Sequence, residues 1–425
     1  MSPGIETSSR FGSRLAVLLV AVAALIGACP SDASSVRVPA DFYGVNFQRI
    51  KDLGPYAREL QLKAIVGLGV RDIRFNVSWA AIEPLAPTGG THSYRWGAID
   101  DQIAAMARNG VRAQPTITQT PFWDAQQNLW TTLQCAKARS RAPLSIAPYV
   151  DLVKAFARRY GRGGDFWQAN PSLPAKPVVR YEIWNEPNLK GGWCPKPQPE
   201  HYARMFVDAA AAIRAVDPNA EVMTGGVAAA NTSNNGDVLS IADFFARAIA
   251  YEPQVARALN AAAVHVYPPT DALQQLGRLA WFRSQLRDGG IADSTPMLVN
   301  EIGWATRGGP YPVGESDRAD AYSRMASNIA RTNCNVDGIL PHTWTSPEES
   351  TDNPEDWYGI ADPTTARPYP SALAYSESAK LMRGELATEA PTTTLMACPG
   401  MPLPDADRDG VPDEKDYYPL DPSRT

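Results

Sequence analysis

Tyr181-Glu182-Ile183-Trp184-Asn185-Glu186-Pro187-Asn188 places a carboxylate directly after an amide at the end of a short apolar run. Val178 to Trp184 is rich in β-branched and aromatic residues and suits a buried strand, which Pro187 ends because it has no N–H to donate to a ladder. Glu186 therefore falls at a strand's carboxyl end. A second apolar run, Met297-Leu298-Val299-Asn300-Glu301-Ile302, delivers Glu301 in the same way. Between the two there is room for a few strand–helix units, which a parallel barrel would bring together in space.

The rest of the chain fits that frame. The spacing predicts strands at Phe42–Phe47, Val70–Val77, Val111–Ile117, Val178–Trp184, Glu221–Gly226, Ala261–Tyr267, Met297–Ile302 and Val336–Trp344. The helices expected between and after them are Tyr56–Leu68, Trp96–Arg108, Tyr149–Tyr160, His201–Val216, Val238–Ala250, Leu273–Arg287, Asp317–Arg331 and Ser371–Met382. Eight such alternations predict an α/β fold, a (β/α)8 TIM barrel over residues 36–385, with its chemistry at the carboxyl ends of the strands. Both glutamates fall there, on strands 4 and 7.

Two carboxyl groups facing each other across a cleft are what glycosidic bond cleavage requires: one protonates the leaving oxygen and the other attacks or activates water. The net charge of −5 and the lack of any long Lys/Arg run argue against a nucleic-acid partner. Eleven tryptophans and sixteen tyrosines are compatible with sugar stacking. Trp79, Trp123, Trp193 and Trp304 are candidate platforms.

Asn-Glu-Pro on one strand and a later strand-end glutamate resemble the clan A glycoside hydrolases, the retaining (β/α)8 enzymes. The resemblance covers about Phe42 to Met382 and implies Glu186 as acid/base and Glu301 as nucleophile. It also implies that Asn185 bonds the sugar 2-hydroxyl, that Arg74 keeps the nucleophile ionised, and that Tyr267, paired with His265 on strand 6, bonds the nucleophile. Trp344 would floor the sugar subsite beside the cut. Val70-Arg71-Asp72-Ile73-Arg74 and Trp357-Tyr358-Gly359-Ile360 are similar to family 39 in style, while families 5 and 10 share the glutamate pair. The implied activity is a retaining β-glycosidase acting on an oligo- or polysaccharide, as a monomer and with no cofactor for catalysis. A surface lipoprotein that binds polysaccharide without cutting it, and a transglycosidase using the same residues, are the alternatives. As general acid, Glu186 would need a raised pKa.

The termini carry other signals. Arg10 and Arg14 precede the apolar run Leu15–Ile26, the layout of a secretory signal over residues 1–29. Ile26-Gly27-Ala28-Cys29 resembles a lipobox in which Cys29 is acylated, with ordinary cleavage near Ala33 as the alternative. The expected location is secreted or lipid-anchored at a bacterial cell surface, with membrane contact only through that anchor. The other four cysteines allow three pairings. In a barrel, the loops holding Cys135 and Cys194 are neighbours, so the expected pairs are Cys135–Cys194 and Cys334–Cys398. Residues 386–404 read as a linker. Asp405, Asp407, Asp409, Asp413 and Asp416 then occupy loop positions 1, 3, 5, 9 and 12, with Gly410 at position 6 and the Val411 carbonyl at 7. That spacing resembles a thrombospondin type 3 repeat and implies a structural calcium ion over residues 405–425.

Overall fold

The computed structural model describes residues 38–125, 133, 135, 140–386 and 398. Cys29 and the acidic loop from Asp405 to Asp416 lie outside the described residues. Eight parallel strands follow one another around the sheet in chain order: β1 (Gly44–Asn46), β2 (Asp72–Ser78), β3 (Arg112–Thr118), β4 (Arg180–Asn185), β5 (Glu221–Ala228), β6 (Ala262–His265), β7 (Met297–Ile302) and β8 (Val336–Pro341). A bridge between Tyr43 and Ile339 joins the last strand to the first. Among the described residues, eight helices longer than two turns pack outside: α1 (Pro55–Gly67), α2 (Gly97–Arg108), α3 (Ile146–Tyr160), α4 (Pro199–Arg214), α5 (Ile241–Tyr251), α6 (Ala272–Asp288), α7 (Glu315–Arg331) and α8 (Pro370–Met382). This is the (β/α)8 TIM barrel. No helix among the described residues is long and apolar enough to cross a membrane.

Period-two alternation sorts the side chains. In β2, Ile73, Phe75 and Val77 join the apolar layer shared with the helices. Asp72, Arg74, Asn76 and Ser78 alternate with them and face inward. The interior is stacked accordingly. At the amino-terminal ends of the strands Arg112 pairs with Asp41 and Asp72, and Arg180 pairs with Glu221 and Asp337, all at 2.6–2.7 Å. Above them Met223, Ala261, Leu298 and Leu340 form a small apolar plug. A Cβ on Gly44 would come within 2.9 Å of Leu340, so glycine is what lets β1 approach that plug. Polar groups fill the upper layer.

Two strands, β8 and β6, stop at least two residues short of their expected carboxyl ends. Strand 8 was expected to run through Trp344 and stops at Pro341; the His342 amide makes the last bond to β7, donating to the Ile302 carbonyl at 2.8 Å. The chain then turns inward, and the Trp344 amide donates to the Asn46 carbonyl at 2.7 Å. Strand 6 ends at His265, with Tyr267 beyond it. Both expected disulfides are present, Cys135–Cys194 and Cys334–Cys398. The first links the segment after β3 to the segment after β4.

Candidate active site

Strand register brings the site together. Asn46 pairs with Arg74, Thr116 with Glu182, and His265 with Glu301. Irregular pairing on β7 lets Asn300 and Glu301 both reach the barrel interior although they are consecutive. At the end of β4, Trp184 and Glu186 have φ of +77° and +47°, an unusual backbone for residues with side chains, and this turn presents the Glu186 carboxylate. The Glu186 amide donates to the Gly226 carbonyl at 2.9 Å. A Cβ at Gly226 would collide with His265 Nε2, so glycine there makes room for the imidazole.

Arg74 is the hub. It is fully buried and donates to Glu182 through Nε (2.6 Å) and Nη2 (2.9 Å), to Glu301 Oε1 (2.6 Å), to Asn46 Oδ1 (2.8 Å) and to Asn185 Oδ1 (2.7 Å). It therefore positions the other groups, Glu301 among them, from beneath the cleft, and is not among the residues that line the cleft and could bind substrate directly. The bond from Arg74 commits the Asn185 amide oxygen and leaves the NH2 as the group Asn185 offers to the cleft it lines.

Glu182 also accepts from Thr116 Oγ1 (2.6 Å), the Gly226 amide (2.9 Å) and Asn300 Nδ2 (2.9 Å). Sequence reasoning passed over this residue. The signal was there: Tyr181 and Ile183 belong to the outer layer, so Glu182 must point into the barrel, where a carboxylate needs a cation.

The second oxygen of Glu301 accepts the Tyr267 hydroxyl at 2.7 Å, and His265 Nδ1 lies 3.4 Å away. Burial alone would raise this carboxyl. The fields of His265, His342 and Arg74, with the Tyr267 bond, reverse that and hold it far below the usual carboxylate range. Glu301 is thus an anion under ordinary conditions. Burial and the Glu301 charge push the Tyr267 hydroxyl well above its usual value, so it stays a donor. Glu186 Oε1 lies 2.8 Å from His265 Nδ1. One atom each from Glu186, His265 and Glu301 lie within 4.8 Å of one another, the one grouping of potential ion ligands among the described residues. The cleft over this group encloses about 700 Å³ and is edged by amides and hydroxyls such as Gln48, Asn76, Thr118 and Gln119.

The tryptophans singled out in the sequence do not line it. Trp344 is 1% exposed and donates its indole N–H to Gln61 at 2.6 Å, which leaves no face for a sugar, so its expected role as subsite floor is corrected. The early end of β8 explains this, because it is His342 that edges the cleft. Trp79 and Trp193 are buried, and neither they nor Trp123 and Trp304 line the cleft.

His342 was not anticipated. It is 8% exposed, its Nδ1 has no hydrogen-bond partner among the described residues and stands 3.7 Å from Glu301, and its Nε2 stands 3.4 Å from Glu355. Burial would lower its pKa, but the carboxylates of Glu301 and Glu355 outweigh burial and raise it. A raised imidazole contributes stability that is complete below about 6.5, its unfolded value, and is lost as pH rises through the folded value. Glu301→Gln removes one of the anions, so the His342 titration midpoint is expected to fall in that variant, as followed by imidazole NMR. An unchanged midpoint would contradict the pairing.

Breaking the hub has a large expected cost. Arg74→Ala leaves Glu182 and Glu301 buried without their cation, and a loss of about 3–5 kcal/mol in urea unfolding is expected. The acid limb of kcat/KM should also move to higher pH, because Glu301 loses a charge that keeps it ionised.

Comparison with known proteins adds the family. The sequence model of cellulase, glycosyl hydrolase family 5, matches residues 55–337, well over half of the 425 positions. The chain belongs to that family. It is a clan A glycoside hydrolase, an enzyme acting on carbohydrate, and glycoside hydrolases of this kind need no cofactor for catalysis. Among solved structures, the family GH5_18 structure from Streptomyces cattleya in complex with GlcNAc has a TM-score of 0.59 and 16% identity, covering 84% of this chain and 83% of that one. A GH39 β-xylosidase from Caulobacter crescentus has a TM-score of 0.53 and 21% identity, covering 79% and 70%. A family 39 glycoside hydrolase from Bacteroides cellulosilyticus WH2 has a TM-score of 0.57 and 16% identity, and this chain spans 82% of itself and 65% of that protein. At such identities these likenesses are of fold alone. No curated protein matches the chain.

Proposed function

We propose that this glycosidase hydrolyses β-glycosidic bonds of an oligo- or polysaccharide with net retention. The carrying observation is the closeness of the carboxylates: one oxygen of Glu186 and one of Glu301 approach within 4.8 Å. Retaining enzymes hold the pair about 5–5.5 Å apart, whereas inverting enzymes leave about 6.5–9.5 Å for a water. Glu301, held as an anion, attacks the anomeric carbon while Glu186 gives its proton to the leaving oxygen, so the glycosidic bond breaks as the glycosyl ester forms. Glu186, now a carboxylate, takes a proton from water. The resulting hydroxide oxygen attacks the anomeric carbon and releases Glu301.

Asn185 supplies an amide donor to the sugar, and Tyr267 and Arg74 hold the two oxygens of Glu301. The family 39 style of the β2 segment and of Trp357–Ile360 after β8 supports a β-xylosidase-like substrate, and the cellulase family supports a β-glucan. Export, a lipid on Cys29, a monomeric state and a C-terminal calcium site over Asp405–Asp416 belong to the same proposal on sequence grounds.

The test is turnover of xylan, cellulose and the 4-nitrophenyl β-xyloside, β-glucoside and N-acetyl-β-glucosaminide by the parent, Glu186→Gln and Glu301→Gln. Activity on at least one substrate, lost in both variants, is expected. Activity retained in the Glu301 variant would sink the assignment of the nucleophile.

A further inference from the structure

A second cavity, of about 820 Å³, adjoins the catalytic cleft and shares Tyr267 and Tyr358 with it. The two rings meet edge to face with centroids 5.6 Å apart and form the partition between the cavities. The chemistry changes across that partition. The cleft is edged by carboxylates, amides and hydroxyls, whereas the second cavity has no charged side chain among its described lining residues.

Five of its residues are prolines, Pro268, Pro269, Pro310, Pro312 and Pro354, and a proline has no N–H to offer. What polar groups remain are largely engaged. The Trp304 indole N–H donates to the Pro268 carbonyl at 2.6 Å, and the Val313 amide donates to the Ala305 carbonyl at 3.0 Å. The hydroxyl of Tyr267 is held by Glu301. A sugar ring here would bury hydroxyls with few partners, a cost that an alkyl or aryl group does not meet.

The wall is also built, not merely adjacent. Gly308, at φ +68°, sits so close to Pro354 that a Cβ would come within 2.7 Å of its nitrogen. The Thr306 amide donates to the Trp357 carbonyl at 3.1 Å, and the Arg307 guanidinium stacks 4.5 Å from the Trp357 ring. These contacts pin the segment after β7 onto the turn around residue 354.

We propose that this cavity receives the hydrocarbon part of an amphiphilic glycoside, so that the enzyme acts on sugars carrying an alkyl, acyl or aryl group. The inference rests on the glycosidase reading of the adjoining cleft and names the substrate class for it. The sugar occupies the polar cleft over Glu186 and Glu301, and the apolar group passes the Tyr267–Tyr358 partition. The same chemistry arises from two sources, an apolar aglycone or an acyl group esterified to the sugar.

Two substrate series separate them: methyl, butyl, hexyl and octyl β-glucosides and β-xylosides, and 4-nitrophenyl β-glucoside and β-xyloside bearing O-acetyl, O-butanoyl or O-octanoyl groups. In one series kcat/KM is expected to rise roughly threefold to fourfold per added methylene until the cavity is full. Val313→Asp, which places a charge in the wall, should flatten that slope while leaving the methyl or unacylated substrate within about twofold. Tyr311→Asp is the second variant. That side chain is 87% exposed, so its loss does not threaten folding, and it should reduce the slope. A parent active on the short substrates but flat in both series overturns this inference alone, as does a slope that persists in both variants. A parent inactive on every glycoside overturns the glycosidase reading and this inference with it.

Discussion

Glu301→Ala is expected to reduce turnover on the order of 10⁴-fold or more, because the variant loses the atom that forms the covalent intermediate and nothing nearby replaces it. Arg74 and Tyr267 would still be in place, aimed at a vacated site. That space makes the variant diagnostic. Azide can enter it and attack the anomeric carbon from the same side, displacing the leaving group with Glu186 as acid. The expected product is the α-glycosyl azide from a β-glycoside. Rescue should restore a measurable part of the lost rate with an activated aryl glycoside. If azide neither speeds the reaction nor appears in an inverted product, Glu301 is not the nucleophile.

Glu186→Ala should show a different pattern, because an acid catalyst matters in proportion to how much its substrate needs a proton. With sugar leaving groups a loss of roughly 10²- to 10⁴-fold is expected. With 2,4-dinitrophenolate, which departs without a proton, the first step should be nearly untouched. The second step then lacks its base, so the glycosyl ester on Glu301 accumulates and a burst of phenolate precedes slow turnover. Azide should now attack that ester from the face Glu186 vacated and give the β-glycosyl azide. Equal losses for good and poor leaving groups would contradict the acid/base role.

Much of this was legible before the fold was seen, and for a physical reason. A strand buried between barrel interior and helices reads as an apolar run, and a catalytic residue must sit where that run ends. Glu186 and Glu301 obey this. The hidden part concerns groups whose partners come from other strands. Glu182 looks like one more strand residue until β2 delivers Arg74 opposite it, although its alternation with Tyr181 and Ile183 already required it to face inward. Asn46, Thr116 and Asn300 belong to the same polar layer and carry no local mark at all.

His342 and Trp344 show a different limit. The expectation that an aromatic residue after strand 8 floors the sugar site depended on how far the strand ran. The His342 amide makes the last bond to β7, the chain then turns toward β1, and the indole is turned to Gln61 instead of the cleft. Likewise the closeness of Asn300 and Glu301 inside the barrel depends on an irregular pairing of β7 that periodicity does not encode. The apolar cavity is built from three segments that meet only in the folded chain, those after β6 and β7 and the turn around residue 354.

The most direct test of the central claim is the configuration of the first product. Hydrolysis of a β-glycoside by the parent enzyme, followed by proton NMR of the anomeric region within the first minutes, is expected to show the β-hemiacetal first, with the α-anomer growing in only by mutarotation. Initial release of the α-hemiacetal would mean that water, not Glu301, attacks the sugar, and would contradict the double-displacement account.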